Sequence, residues 1–211
     1  MSRCVIIAAG EIKDYAQTGA LLREDDTIVC ADGGVYHATR FGRRPDIVIG
    51  DFDSAGGAPQ GVPVLRYGSE KDETDTMLCV QYALEKGFRE FLILGGTGGR
   101  LDHTIANFSA LLYIRRRGGR AVMAYGACEA HVIENESLML KRRSGFYVSV
   151  FPFGGEARGV TETGLKYPLR DALLSAEFPL GVSNEFSAEE AVISVSQGAL
   201  LIILEKSGTN P

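Results

Sequence analysis

Carboxylates gather at two places in the first half of the chain, Asp51-Phe52-Asp53-Ser54 and Lys71-Asp72-Glu73-Thr74-Asp75-Thr76. A glycine-rich run follows, Gly95-Gly96-Thr97-Gly98-Gly99-Arg100-Leu101-Asp102-His103. Residues two apart in an extended segment face the same way, so Asp51 and Asp53 converge while Phe52 points inward. Clustered carboxylates repel one another unless something positive neutralises them. A hard divalent cation held by one or two carboxylates together with phosphate oxygens is the usual answer, which makes Mg²⁺ the expected ion. Lys71 adds a point charge beside the second cluster. Four glycines in five residues let backbone N–H groups approach a polyphosphate closely, and Arg100 carries the planar fork that grips phosphate bidentately. The run is not a Walker A loop, and Leu101 occupies the last glycine position of G-x-G-x-x-G.

Each segment also has an ordinary explanation. Asp, Ser and Gly form turns, and Asp32-Gly33 after an apolar run is a common turn signal. Thr74 suits a helix N-cap, with Asp72 and Asp75 near the positive end of the helix dipole. The accumulation favours chemistry: a plain turn needs no aspartate pair at a strand end, and a cap needs no lysine beside it. The expectation is a Mg²⁺-dependent enzyme of phosphate chemistry.

The elements that must place these residues are legible as alternating patterns. Apolar runs at 5–9, 27–31, 46–49, 62–65, 91–94 and 121–124 read as strands covered on both faces. Between them, Met77, Val80 and Leu84 keep helical spacing up to Gly87, and Ile105, Phe108 and Leu112 repeat it before Gly118-Gly119. Strands alternating with helices imply a parallel sheet, whose ligands gather at the carboxyl ends of the strands. Beyond about residue 135 the runs at 138–141, 147–153, 159–163, 192–196 and 200–204 are β-branched or aromatic, with Gly and Pro between them. Ser196-Gln197-Gly198-Ala199 reads as a hairpin between the last two strands. The expected architecture is α/β: a Rossmann-like parallel-sheet domain over 1–132, then a small antiparallel β-sandwich over 133–211.

Bulk properties narrow the class. At 211 residues and 45% hydrophobic content the chain can bury a core without disulfides or a structural metal. A net charge of −5 argues against a nucleic-acid binder that relies on bulk attraction to phosphates. Arg115-Arg116-Arg117 and Lys141-Arg142-Arg143 read as solvated faces, the first at a helix C-terminus where cations suit the dipole. Cys4, Cys30, Cys79 and Cys128 form no C-x-x-C pair, so buried free thiols in a reducing compartment are expected. His37, His103 and His131 lack zinc-ligand spacing. With no signal-like segment and no apolar stretch near eighteen residues, a cytoplasmic protein without membrane contact is expected.

In order along the chain, ADGG at 31–34, GDFDS at 50–54, KDETDT at 71–76, GGTGGRLDH at 95–103, GLKYPL at 164–169 and SNE at 183–185 resemble the thiamine pyrophosphokinase family. The resemblance implies transfer of the β,γ-pyrophosphoryl group of ATP to the hydroxyl of thiamine, releasing AMP. It implies a homodimer with active sites shared between subunits. By the same resemblance Asp51, Asp53 and Asp75 hold Mg²⁺ with Asp72 nearby. Lys71, Arg100, Gly96, Gly98 and Gly99 hold the polyphosphate, and Asp102, His103, Asp32, Ser183 and Asn184 contact nucleotide or thiamine. Tyr167 stands where the family often carries a tryptophan and is the expected stacking partner. Two other classes fit parts of the pattern. A haloacid-dehalogenase-like phosphatase shares the strand-then-D-x-D signature but places it on the first strand, with Thr or Val favoured at Ser54. A non-catalytic nucleotide sensor needs no full carboxylate set.

Overall fold

A computed structural model describes residues 2–51, 60–68 and 72–208. Asp53 and Lys71, with Phe52 and Ser54, lie outside these described residues. The protein is mixed α/β and divides into two compact units, Met1–Ala127 and Cys128–Pro211.

The first unit runs β1 (Cys4–Ile7), α1 (Tyr15–Gly19), β2 (Thr27–Ala31), α2 (Gly34–Arg40), β3 (Ile47–Gly50), β4 (Val64–Arg66), α3 (Asp75–Glu85), β5 (Glu90–Leu94), α4 (Leu101–Arg116) and β6 (Arg120–Tyr125). Its strands lie in the order β4-β3-β2-β1-β5-β6 and pair in parallel. The buried positions of β1, β2, β3 and β5 are apolar or glycine because both faces are covered, and all four residues of β1 are buried. Successive strands leave β1 in one direction as far as β4, and β5 then returns to its other side. The order therefore reverses between β1 and β5, and the carboxyl ends of these two strands open the crevice where ligands collect in such sheets.

Helix α3 starts at the Thr74 cap that the sequence indicates, but the buried faces of α3 and α4 are set differently from the apolar spacing. On α3 the inward residues include Thr76, Cys79, Val80 and Ala83. On α4 they are Asn107, Ala110, Leu111 and Ile114, while Ile105 is 55% exposed. A polar residue thus takes an inward place on α4. Gly87, at φ +90°, ends the segment after α3 in a conformation that favours glycine.

The second unit consists of β7 (Cys128–Glu134), β8 (Ser137–Lys141), β9 (Phe146–Thr163), β10 (Leu169–Leu174), β11 (Gly181–Glu185), β12 (Glu190–Ser194) and β13 (Gln197–Lys206), with antiparallel pairings. The runs at 147–153 and 159–163 are one strand, β9, with Gly154 and Gly155 at positive φ between its halves. Its first half pairs with β11 and β13, and its second with β10 and β12. The expected hairpin at 196–199 is corrected. β12 pairs with β8 and β9, and β13 with β7 and β9, so the segment carries the chain from one group of strands to the other. Val148, Val150, Val160, Leu174, Ile193, Leu200 and Ile202 meet in one buried cluster. All four cysteines are free and buried, and burial pushes the Cys4 and Cys30 thiols up to about 12.

Candidate active site

The segments following β1, β2, β3 and β5 and the starts of α3 and α4 enclose a cleft of about 450 Å³. Two backbone loops form its floor. Ala8 N–H donates to the Leu94 carbonyl at 2.8 Å and Gly10 N–H to the Gly95 carbonyl at 2.9 Å, extending the β1–β5 register beyond the strands. A Cβ on Gly10 would stand 2.1 Å from the Thr97 oxygen, and one on Gly95 (φ +64°) would stand 2.4 Å from the Ala8 oxygen. Only glycine permits main chain to meet main chain this closely, so much of the cleft wall is peptide groups. From behind, buried Asn107 donates Nδ2–H to the Gly96 carbonyl at 2.8 Å. Gly96 and Gly99 line the cleft, whereas Gly98 (φ +79°) packs against Glu11.

His37 braces the other loop. It is 6% exposed, its Nδ1 lies 2.6 Å from the Tyr15 hydroxyl, and its ring hydrogen-bonds the backbone at Ala9 and Gly10. Burial holds its pKa below the ordinary value, which keeps the ring neutral. Arg40 stacks on the far side of this group, its guanidinium carbon 4.0 Å from the centre of the Tyr15 ring.

Three aspartates reach the cleft from different elements: Asp32 after β2, Asp51 after β3 and Asp75 in the first turn of α3. Asp32 has φ +39°, and the bare Cα of Gly50 makes room beside it, since a Cβ there would sit 3.0 Å from the Asp32 Cβ. Asp32 Oδ1 is buried without a hydrogen-bond partner among the described residues. Thr74 caps α3 as its type suggests, its hydroxyl accepting the Met77 N–H at 3.2 Å. That leaves the Asp75 carboxylate at the positive end of the helix. Asp72 is exposed outside the cleft lining. Among the described residues no three His, Cys, Asp or Glu side chains form a ready-made metal cage.

Arg100 lines the cleft at the N-terminus of α4 and forms a two-point pair with Asp102, Nε to Oδ1 at 3.2 Å and Nη2 to Oδ2 at 2.5 Å. This bond lowers the Asp102 pKa and raises that of Arg100. Asp102 also accepts the His103 N–H at 2.9 Å and faces solvent, while His103 lines the cleft.

In the second unit, Tyr167 is 62% exposed. Ser183 is exposed at φ +57°, its N–H donating to Ser149 Oγ at 3.0 Å. Asn184 is 3% exposed and braces the interior: its Oδ1 accepts the N–H groups of Tyr167 and Glu185, each at 3.0 Å, and its Nδ2 donates to the Tyr167 carbonyl at 2.8 Å. The sequence reading passed over His37 and Asn107. An isolated histidine carries no spacing signal, and Asn107 interrupts the apolar stripe expected on α4.

Comparison with known proteins agrees along the chain. Residues 18–123 match the family model for the thiamin pyrophosphokinase catalytic domain, and residues 131–200 match that for the thiamin pyrophosphokinase vitamin B1 binding domain. A thiamine pyrophosphokinase of Bacillus subtilis is 29% identical over 219 residues, covering 95% of this chain and 98% of its own. The crystal structure of thiamine pyrophosphokinase from Bacillus subtilis superposes with a TM-score of 0.88 at 25% identity, covering 98% of this chain and 100% of the other. That of thiamin pyrophosphokinase from Geobacillus thermodenitrificans gives 0.84 at 27% identity, covering 99% of each chain.

Proposed function

The chain belongs to the thiamine pyrophosphokinase family, and from that premise we propose that the cleft between β1 and β5 binds the polyphosphate of ATP. The activity is ATP:thiamine diphosphotransfer. The thiamine hydroxyl oxygen bonds to the β-phosphorus of ATP as the bond from that phosphorus to the oxygen bridging the α-phosphate breaks. AMP leaves with the bridging oxygen, and the hydroxyl proton is given up.

The single observation that carries this assignment is Asp32 Oδ1, a buried carboxylate oxygen without a hydrogen-bond partner among the described residues, in a cleft shared with Asp51 and Asp75 and walled by peptide groups. A buried carboxylate oxygen left without a donor is costly and suits a site completed by a cation. The aspartates of the cleft offer oxygen donors, and Mg²⁺ ordinarily takes one or two carboxylates plus water and phosphate, which suits that ion. Asp51, Asp53 and Asp75 would hold it, with Asp32 beside them. When bound, Mg²⁺ neutralises phosphate charge. Arg100 and Lys71 supply further positive charge, and the peptide groups of Gly96 and Gly99 border the phosphates. This is catalysis by positioning and charge neutralisation.

The first unit, a Rossmann-like domain, would then serve ATP and Mg²⁺, and the second, a β-sandwich, would present Tyr167 and Ser183 to thiamine. A homodimer with shared sites and a cytoplasmic location complete the proposal. The test is AMP formation by the purified protein. The assignment requires AMP to appear only when ATP, Mg²⁺ and thiamine are all present. Phosphate release without thiamine would point to a phosphatase, and ATP binding without turnover to a sensor. For the shared site, inactive Asp53→Asn chains mixed with inactive Tyr167→Ala chains should recover part of the activity.

A further inference from the structure

Glu162 lies on β9 two residues after Val160, so the strand's alternation turns both side chains inward. It is 0% exposed, and its Oε1 has no hydrogen-bond partner among the described residues. Its Oε2 accepts from Asn184 Nδ2 at 3.3 Å. The consequence reaches the surface through that amide. An asparagine side chain can be turned either way, with its oxygen or its NH₂ toward a given neighbour. The NH₂ faces the carboxyl, and Asn184 Oδ1 then meets the Tyr167 and Glu185 N–H groups. The same NH₂ reaches the Tyr167 carbonyl, so one buried amide holds Tyr167 by both of its backbone groups.

We propose that Glu162, acting through Asn184, is a positioning residue for the turn that presents Tyr167. The thiamine consequence rests on the reading that Tyr167 meets that substrate. Among the described residues no charged side chain pairs with this carboxyl. Lys166 and Glu185 pair with each other at 3.0 Å, and Arg170 and Asp171 on β10 and Glu190 on β12 are exposed. Burial pushes the carboxyl up to about 7, opposed by the Asn184 hydrogen bond. Below that pH the group is neutral and one long hydrogen bond suffices. Above it a charge in a dry core needs more donors, and the one it already touches is the Asn184 amide that holds Tyr167.

The experiment is hydrogen–deuterium exchange of segment 164–169 in the full chain, corrected for intrinsic rates, with KM for thiamine and for ATP measured in parallel. Glu162→Leu removes the acceptor that orients Asn184. Protection of the segment and affinity for thiamine should each fall by about tenfold, the worth of roughly one buried hydrogen bond. The ATP KM should stay within about twofold. Wild type should lose protection as pH rises through about 7, and Glu162→Gln, which keeps a neutral acceptor, should not. Unchanged protection in Glu162→Leu overturns the proposal. Lost protection with an unchanged thiamine KM supports the clamp and instead removes the thiamine reading of the turn. Should Glu162→Leu fail to fold, wild type against Glu162→Gln decides: the same pH dependence in both overturns the proposal.

Discussion

Arg100 and Asp102 meet edge to edge at the first turn of α4, with the guanidinium of one laid along both oxygens of the other. Their side chains are 75% and 60% exposed, so the pair contributes little to folding. It sets the fork of Arg100 at the cleft, where on the proposed reading a phosphate takes over one or both of its hydrogen bonds. Arg100→Lys keeps the charge and loses the fork. Turnover should fall by tenfold or more, roughly the loss of one charge-assisted hydrogen bond. The thermal midpoint should not move. Near-wild-type kinetics would place Arg100 on the surface, outside the chemistry.

The carboxylates should behave oppositely with respect to stability. Asp51 and Asp75 line the same cleft, and on the proposed reading their carboxylates share one cation there. Asp51→Asn or Asp75→Asn should therefore cost activity by orders of magnitude and raise the Mg²⁺ concentration needed. In a chelator the thermal midpoint should hold or rise. Asp53→Asn should do the same. Unfolding of the variants with an unaltered Mg²⁺ requirement would sink the metal assignment.

His37 offers a test of the cleft floor that touches no phosphate. His37→Leu leaves the Tyr15 hydroxyl and the main chain at Ala9 and Gly10 without their partner, which should cost about 1–3 kcal/mol. Because that loop meets Gly95, the ATP KM should rise while the thiamine KM does not. The pH sign follows from burial. The folded pKa lies below the ordinary 6.5, so the unfolded chain takes up the proton first, and stability is lost as pH falls below about 6.5. Denaturation and steady-state kinetics on this variant check both statements.

How far the sequence could be read follows from whether each signal was local. The parallel strands were legible because burial on both faces writes an unbroken apolar run, and Thr74 because a cap bonds three residues along its own chain. Glycines of the cleft wall such as Gly96 stood out by density. The connection at 196–199 was misread because its turn residues say nothing about which strands they join, and the partners of β12 and β13 lie far away in sequence. The stripe expected on α4 through Ile105, Phe108 and Leu112 misses Asn107, which is buried, and includes Ile105, which is exposed. Asn184 belongs to a polar triplet that resembles a surface loop, and nothing near it in sequence reveals Glu162 twenty-two residues earlier.

Glu162 also gives a prediction for stability that needs no ligand. Its folded pKa is raised from 4.5 to about 7, so the folded chain holds a proton that the unfolded chain has already released. Across that window Glu162 binds more protons in the native state, and its contribution to stability falls as pH rises from about 4.5 to about 7, then levels off. At about 1.4 kcal/mol per pKa unit the effect is on the order of 3 kcal/mol. Glu162→Gln cannot ionise, and the difference in unfolding free energy between it and wild type cancels His37 and the other titrating groups. That difference should move steadily in favour of the variant from pH 5 to pH 7 and stay flat above about 8. Urea denaturation at each pH measures it directly. A difference that does not change with pH would mean that Glu162 ionises as an ordinary carboxylate, with water reaching it in the folded protein.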